Sequence, residues 1–177
     1  MYKRLIVTVP ALAIVVLTAA ASIASDDDRR GPRRFRARLT GFQETPLTLS
    51  TAGRGTFEAK LDHDGMAIEY ELSYENLEGG AAFAAHIHLG QRATSGGVSA
   101  FLCGGGTKPA CPPAGGTVTG TIVPSDVIGP TAQGIAAGEF EELVRAMRAG
   151  FAYANVHSTA RPGGEIRGQI TVRDDDR

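Results

Sequence analysis

Two histidines separated by a single residue are the part of this sequence best suited to chemistry. His86 and His88 lie in AAFAAHIHLG, and the whole chain contains only four histidines. The rest of the stretch is small or apolar, which is typical of a buried strand. Because residues i and i+2 of a strand point to the same face, the two imidazoles would stand about 6.6–6.8 Å apart along the chain. Two imidazoles at that spacing can bind one metal ion between them.

A third imidazole is available at the end of a later predicted strand, FAYANVH, which closes on His157. Imidazole nitrogens bind copper, zinc, nickel and iron, so the three histidines predict a three-nitrogen site with an open position. The same spacing fits histidines that only satisfy hydrogen bonds at a barrel mouth. Tyr153 and Asn155 share the face of His157, either as supports for the metal ligands or as ordinary packing residues. The remaining histidine, His63, is expected at an exposed hairpin tip without a chemical role.

Short strands separated by turns are the elements that would position these histidines. The chain has 23 glycines and places Val, Ile and Thr in short runs, which is typical of an all-β domain. FRARLTGF alternates apolar and polar residues, and DHDG joins two strands in a hairpin. We therefore expect an antiparallel β-sandwich or barrel. The predicted strands are 35–42, 55–61, 66–74, 82–89, 97–102, 117–123, 151–157 and 164–172.

One short helix is predicted in the C-terminal part of the chain, at residues 138–150. Apolar residues in GEFEELVRAMRAG recur at helical spacing. Its glutamates fall in the first turn and its arginines fall late, as the helix dipole favours. Gly150 ends the helix.

The first residues are predicted to direct export. Residues 1–24 carry two basic residues, an apolar run and a small-x-small site ending at Ala24, which is the layout of a secretory signal peptide. An uncleaved membrane anchor is the alternative, although the run is short for a span of about 20 residues. Residues 25–34 are expected to be a charged linker, 35–173 the domain and 174–177 a charged tail. The mature chain is therefore expected to be secreted or periplasmic, without a membrane span.

The two cysteines, Cys103 and Cys111, lie in FLCGGGTKPACPP. Outside the cytoplasm such a pair predicts a disulfide that staples a Gly- and Pro-rich turn, worth roughly 2–3 kcal/mol. A redox-active or metal-binding pair is the alternative, but the close C-x-x-C spacing is absent.

Composition excludes several classes of function. The formal net charge is −1 and the pI is about 6.4, without the basic surplus of a nucleic-acid-binding protein. GGG at 104–106 lacks the G-x-S-x-G frame of a hydrolase, and no strand–loop–helix phosphate site is present.

Four segments taken in order resemble the chordin-type (CHRD) domain: FRARLTGFQETP, AAHIHLG, AGFAYANVHS and PGGEIRGQI. Together they cover about residues 35–172, nearly the whole mature chain. The resemblance implies an exported single-domain protein. By analogy with chordin, which binds growth factors outside the cell, it also implies a protein partner outside the cytoplasm.

A weaker likeness joins AAHIHLG and NVHS…GGEIRGQI to copper–zinc superoxide dismutases. That likeness implies a Greek-key β-sandwich, copper ligands at His86, His88 and His157, and Arg167 as the group that guides an anionic substrate. No histidine lies between His88 and His157, so the bridging histidine and the zinc site of that enzyme are missing. The likeness therefore implies at most a mononuclear copper site.

Three functions are compatible with these residues. The first is a binding protein that holds copper, or zinc as the second choice, through the three histidines. The second is a metal-free interaction module whose imidazoles bond to backbone carbonyls. The third is a copper-only oxidoreductase, in which Arg167 is the single catalytic candidate.

Two acidic residues have less definite interpretations. Glu165 and Arg167 alternate on one face of a strand and can form an exposed pair worth about 0–1 kcal/mol. Glu44, in GFQETP, lies in a loop near a strand end, and the sequence indicates no physical role for it.

Overall fold

Nine strands and one α-helix make up the part of the chain that the computed structural model describes, residues 31–173. The predicted signal peptide, most of the predicted linker and the tail lie outside the described residues. The strands are β1 (Arg34–Thr40), β2 (Arg54–Leu61), β3 (Ile68–Glu75), β4 (Ala82–Leu89), β5 (Val98–Cys103), β6 (Gly116–Ile122), β7 (Ala152–Ser158), β8 (Arg161–Gln169) and β9 (Thr171–Val172). The helix, α1, is Phe140–Arg148, and short 3-10 turns lie at Gly41–Gln43, Pro124–Asp126 and Thr131–Gln133.

The strands form one antiparallel sheet in the order β5-β4-β7-β8-β1-β2-β3-β6, with β9 alongside β1. The two ends of the sheet approach each other, and the Tyr70 hydroxyl of β3 donates to the Leu102 carbonyl of β5 at 2.6 Å. The sheet is therefore a nearly closed barrel. The spatial sequence β7-β4-β5-β6 places a returning strand beside the first of three consecutive ones, which is a Greek key. The expected all-β Greek-key architecture with one short helix is confirmed.

Alternation along the strands builds the core of the barrel. In β1, Phe35, Ala37 and Leu39 point inward and the arginines between them point to solvent. The four apolar residues that predicted the helix are all buried: Phe140, Leu143, Val144 and Met147. The described helices include none that is long and apolar enough to cross a membrane.

Two strands begin or end at residues other than those predicted, and each difference has a local cause. β1 stops at Thr40, because Gly41–Gln43 turn into a 3-10 helix. β7 starts at Ala152, because the Phe151 amide still bonds the Ala146 carbonyl at the end of α1. Phe151 therefore precedes the strand instead of opening it, and its side chain is half exposed.

The predicted disulfide is present. Cys103, at the end of β5, is joined to Cys111 with an S–S distance of 1.96 Å. The ring is held further by the Gly104 amide, which donates to the Pro109 carbonyl, and by the Tyr74 hydroxyl, which donates to the Pro112 carbonyl. The bridge therefore fastens one surface loop and does not join distant parts of the chain.

Candidate metal centre

The three histidines lie on the outer face of the barrel wall, where the segments that contain Gly96 and Pro162 contact two of them. Ala85 and Ile87 of β4 belong to the core, so His86 and His88 point away from it. His157 projects from the same outer face of the adjacent strand β7. His88 is 7% exposed and His157 is 6% exposed, while His86 remains partly accessible. The cluster is thus almost closed, with one partly open side at His86.

Strand register brings the predicted ligands together. In the β4–β7 ladder His86 faces Asn155, His88 faces Tyr153 and His157 faces Ala84, so His157 is the diagonal neighbour of His86. The ring centroids are 4.8 Å apart for His86 and His157, and 5.4 Å apart for His86 and His88. Within residues 31–173 these histidines form the one group whose ligand atoms could hold a metal ion, all within 4.8 Å of one another.

Backbone carbonyls fix the tautomers of two imidazoles. His88 Nδ1 lies 3.0 Å from the Gly96 carbonyl oxygen, and His157 Nδ1 lies 3.0 Å from the Pro162 carbonyl oxygen. A carbonyl oxygen only accepts, so each neutral ring carries its proton on Nδ1 and presents the lone pair of Nε2. His88 Nε2 is buried and has no hydrogen-bond partner.

His86 completes the set with its other ring nitrogen. Its Nδ1 lies 3.0 Å from His157 Nε2, so without a metal the protonated His86 Nδ1 donates a hydrogen bond to the lone pair of His157 Nε2. The atoms that could coordinate one ion are therefore His86 Nδ1, His88 Nε2 and His157 Nε2. Binding requires His86 to carry its proton on Nε2 instead.

Burial keeps all three imidazoles neutral. It lowers the pKa of His86 to about 3, with further lowering by the other two imidazoles. It lowers the pKa of His88 to about 4 against the opposing hydrogen bond with Gly96, and His157 and the Arg167 charge lower it further. Burial also lowers the pKa of His157. Because a metal binds the neutral ring, protons do not compete for these nitrogens near pH 7.

Tyr153 supports His88 from the adjacent strand. The two rings are parallel within 4°, with centroids 4.8 Å apart. The Gly96 amide donates to the Tyr153 hydroxyl at 3.0 Å, and the same residue accepts the bond from His88. Gly96 must lack a side chain, because a Cβ there would overlap the Leu89 carbonyl oxygen.

Arg167 packs against the Tyr153 ring and holds the two loops that contain Thr45 and Gln91 through hydrogen bonds. Its guanidinium carbon is 3.5 Å from the centre of the Tyr153 ring, and the residue is only 2% exposed. It donates to the Thr45 hydroxyl at 2.6 Å and to the Gln91 carbonyl at 3.0 Å. The interpretation of an exposed pair with Glu165 is wrong.

Glu165 has a structural role of its own. It is fully buried, and its carboxylate accepts hydrogen bonds from the Glu78 and Gly79 amides and from the Ser158 hydroxyl. These bonds anchor the loop between β3 and β4 at the end of the barrel.

Glu44 is a buried acid that sequence reasoning left without a role. It is 5% exposed, and burial raises its pKa to about 7 against the opposing influences of the Thr45 amide, the Arg167 charge and the Asn155 amide. Gly164, with a φ of +130°, leaves room for it, since a Cβ there would overlap both Glu44 and Asn155. The polar GFQETP segment was the one feature of the sequence that could have drawn attention to Glu44. Its proximity to Arg167 arises only in the folded chain.

Two phenylalanines flank the histidines and were not predicted as part of the site. The Phe101 ring meets His86 edge-on at 4.5 Å between centroids, and Phe83 lies 6.2 Å from His157. Both belong to ordinary apolar strand patterns, so the sequence carried no signal for them. His63, as expected, is exposed at the tip of the β2–β3 hairpin and takes no part in the cluster.

The chain matches a known family of protein domains. Residues 35–170 match the family model of the CHRD domain. No curated protein and no solved structure is significantly similar to the chain. The match covers more than half of the chain and includes both strands that carry the three histidines.

Proposed function

The chain belongs to the CHRD domain family, and we propose that it is an extracytoplasmic binding module that holds one copper ion, with zinc as the second choice. The ligands would be His86, His88 and His157. The observation that carries the proposal is His88 Nε2, a buried nitrogen without a hydrogen-bond partner beside two other imidazoles. A buried polar atom left unpaired costs about 1–3 kcal/mol, and a metal ion would supply the missing partner.

Location outside the cytoplasm has three supports. CHRD domains are typical of extracellular proteins, and the disulfide between Cys103 and Cys111 fits an oxidising compartment. Residues 1–24 have the pattern of a signal peptide. We propose that cleavage leaves a linker at 25–34, the domain at 35–173 and a short tail at 174–177.

The binding proposal is tested by titrating the mature chain, residues 25–177, with copper and with zinc. A variant with His86, His88 and His157 all changed to alanine removes the ligands, and His63→Ala is the matched control. We expect one equivalent to bind to the wild type and to the control, and none to the triple variant. Equal, weak binding by all three proteins would contradict the proposal.

A metal-free interaction module is the second candidate, because CHRD domains are extracellular interaction modules. A groove of about 450 Å³ crosses β1, β2, β3 and β6 away from the histidines, and Arg38, Arg54 and Glu75 are among its lining residues. Capture of an extracytoplasmic partner that is unchanged in the triple histidine variant would favour this function.

A copper-only oxidoreductase receives less support from the geometry. An anion-guiding arginine needs access to substrate, whereas Arg167 is buried and donates to Thr45 and Gln91. A copper-loaded chain that removes superoxide faster than free copper, with the gain reduced in Arg167→Ala, would support this candidate.

A further inference from the structure

The charges around the three histidines differ from those expected for a divalent ion. No carboxylate joins the metal-binding group among residues 31–173. The nearby Arg167 cation acts on His88 and lowers the pKa of its ring. The donor set is therefore three neutral nitrogens with a positive charge behind it.

The positive charge reaches the site through a column of stacked groups. The Arg167 guanidinium lies 3.5 Å from the Tyr153 ring centre, and that ring lies 4.8 Å from the His88 ring centre. Arg167 is buried, so solvent does not screen it fully. Glu44 is the one carboxylate among the charges that act on Arg167, and because its pKa is raised to about 7 it is only partly ionised at neutral pH. Glu44 therefore neutralises the positive charge of Arg167 only in part.

Two aromatic rings flank the cluster and narrow its partly open side at His86. Phe101 packs edge-on against His86, and Phe83 lies beside His157. Divalent copper and zinc favour a fourth ligand, commonly water, beyond three protein nitrogens. Monovalent copper is stable with only three nitrogen ligands, so aromatic flanks suit it better.

We propose that the ion held by this site is Cu(I) rather than Cu(II) or Zn(II), and that Arg167 sets the preference through Tyr153. This inference rests on the proposed metal-binding function and specifies its ligand. Repulsion from Arg167 is half as large for a single charge as for a double one. Across roughly 10 Å at an effective dielectric constant of about 20, the difference is about tenfold in the ratio of Cu(I) to Cu(II) affinity.

The first test compares wild-type affinities of the full chain under anaerobic conditions. Competition with the Cu(I) chelator bicinchoninate gives the Cu(I) affinity, and direct titration gives those for Cu(II) and Zn(II). We expect Cu(I) to bind most tightly. Tighter binding of Zn(II) or Cu(II) would overturn this inference and leave the metal site itself intact, whereas failure of all three ions to bind would remove the proposed function as well.

The second test measures the reduction potential of the copper-loaded chain in Arg167→Met and Arg167→Lys. Both variants lose the guanidinium bonds to Thr45 and Gln91, but only methionine removes the charge. We expect the potential to fall by about 60 mV in Arg167→Met, which is a tenfold change for one electron, and to stay near the wild-type value in Arg167→Lys. Equal shifts in both variants would show a packing effect and overturn the inference.

A third variant changes Glu44, the carboxylate that acts on Arg167, and tests the electrostatic effect even if the arginine variants do not fold. Glu44→Gln preserves the shape of the side chain and cannot ionise. At pH 8, above the pKa of about 7, we expect its copper potential to exceed that of the wild type. An unchanged or lower potential would contradict an electrostatic influence on the bound ion.

Discussion

The Tyr153 ring lies parallel to the His88 imidazole, 4.8 Å away and within 4°, and both rings are held by the same glycine. The Gly96 carbonyl accepts a hydrogen bond from His88 Nδ1, and the Gly96 amide donates a hydrogen bond to the Tyr153 hydroxyl. One residue of the β4–β5 loop thus fixes the tautomer of a predicted ligand and the position of the ring that supports it. The orientation of His88 Nε2 follows from this arrangement.

Removal of the Tyr153 ring should weaken metal binding. Groups that orient a ligand typically contribute 10–100-fold to affinity, so we expect Tyr153→Ala to bind copper about 10–100-fold more weakly. Tyr153→Phe keeps the stacked ring and loses only the two hydrogen bonds between its hydroxyl and Gly96, so its affinity should fall less. Competition titration against a chelator measures both variants. Wild-type affinity in Tyr153→Ala would mean that the stack does not position His88.

Stability should fall as Glu44 ionises. Its pKa rises from 4.5 to about 7 on folding, so the folded state binds the proton more tightly than the unfolded chain. This contribution is complete below pH 4.5 and is lost as the pH rises through about 7, by up to about 3 kcal/mol. Denaturant unfolding between pH 5 and 8 should show the loss in wild type relative to Glu44→Gln. Parallel curves for the two proteins would contradict it.

Metal binding should persist into mild acid. The pKa of His88 is lowered to about 4 and that of His86 to about 3, so their lone pairs stay free well below the ordinary histidine pKa of 6.5. We expect copper affinity to change little between pH 7.5 and about 5.5, where an exposed histidine site would already lose its ion. A chelator competition series over pH measures this. A steep decline near pH 6.5 would contradict the burial of the ligands.

The disulfide should contribute modestly to stability. Closure of so short a ring is worth roughly 2–3 kcal/mol in the chain-entropy account. We expect the Cys103→Ser, Cys111→Ser double variant to unfold at lower denaturant concentration by about that free energy. The metal ligands are not altered by this change, so metal stoichiometry should stay at one. Loss of stability far beyond this range would show that the bridge holds more than one loop.

Local patterns explain what the sequence predicted well. The two-residue period of a strand placed His86 and His88 on one face, and the same alternation in FAYANVH aligned Tyr153, Asn155 and His157. The helix followed from apolar residues at helical spacing. Such features depend on neighbours within a few positions, so they can be inferred before the fold is known.

Contacts between segments that are distant in the sequence could not be predicted from local patterns. Arg167 bonds to Gln91 and Thr45, which are 76 and 122 residues away in the chain. Glu44 becomes a buried acid only because its loop packs against β7 and β8. The carbonyls of Gly96 and Pro162 carry no mark in the sequence, since every residue has one. The grouping of the three histidines was therefore predictable, whereas the backbone carbonyls that orient two of their rings were not.

X-ray absorption spectroscopy of the metal-loaded chain is the most decisive measurement on the histidine cluster, because it counts the imidazoles bound to the ion. We expect three imidazole nitrogens bound to the ion at about 2.0–2.1 Å, and no imidazole signal in the triple histidine variant. A shell dominated by oxygen, or an identical spectrum in that variant, would contradict a metal site at His86, His88 and His157.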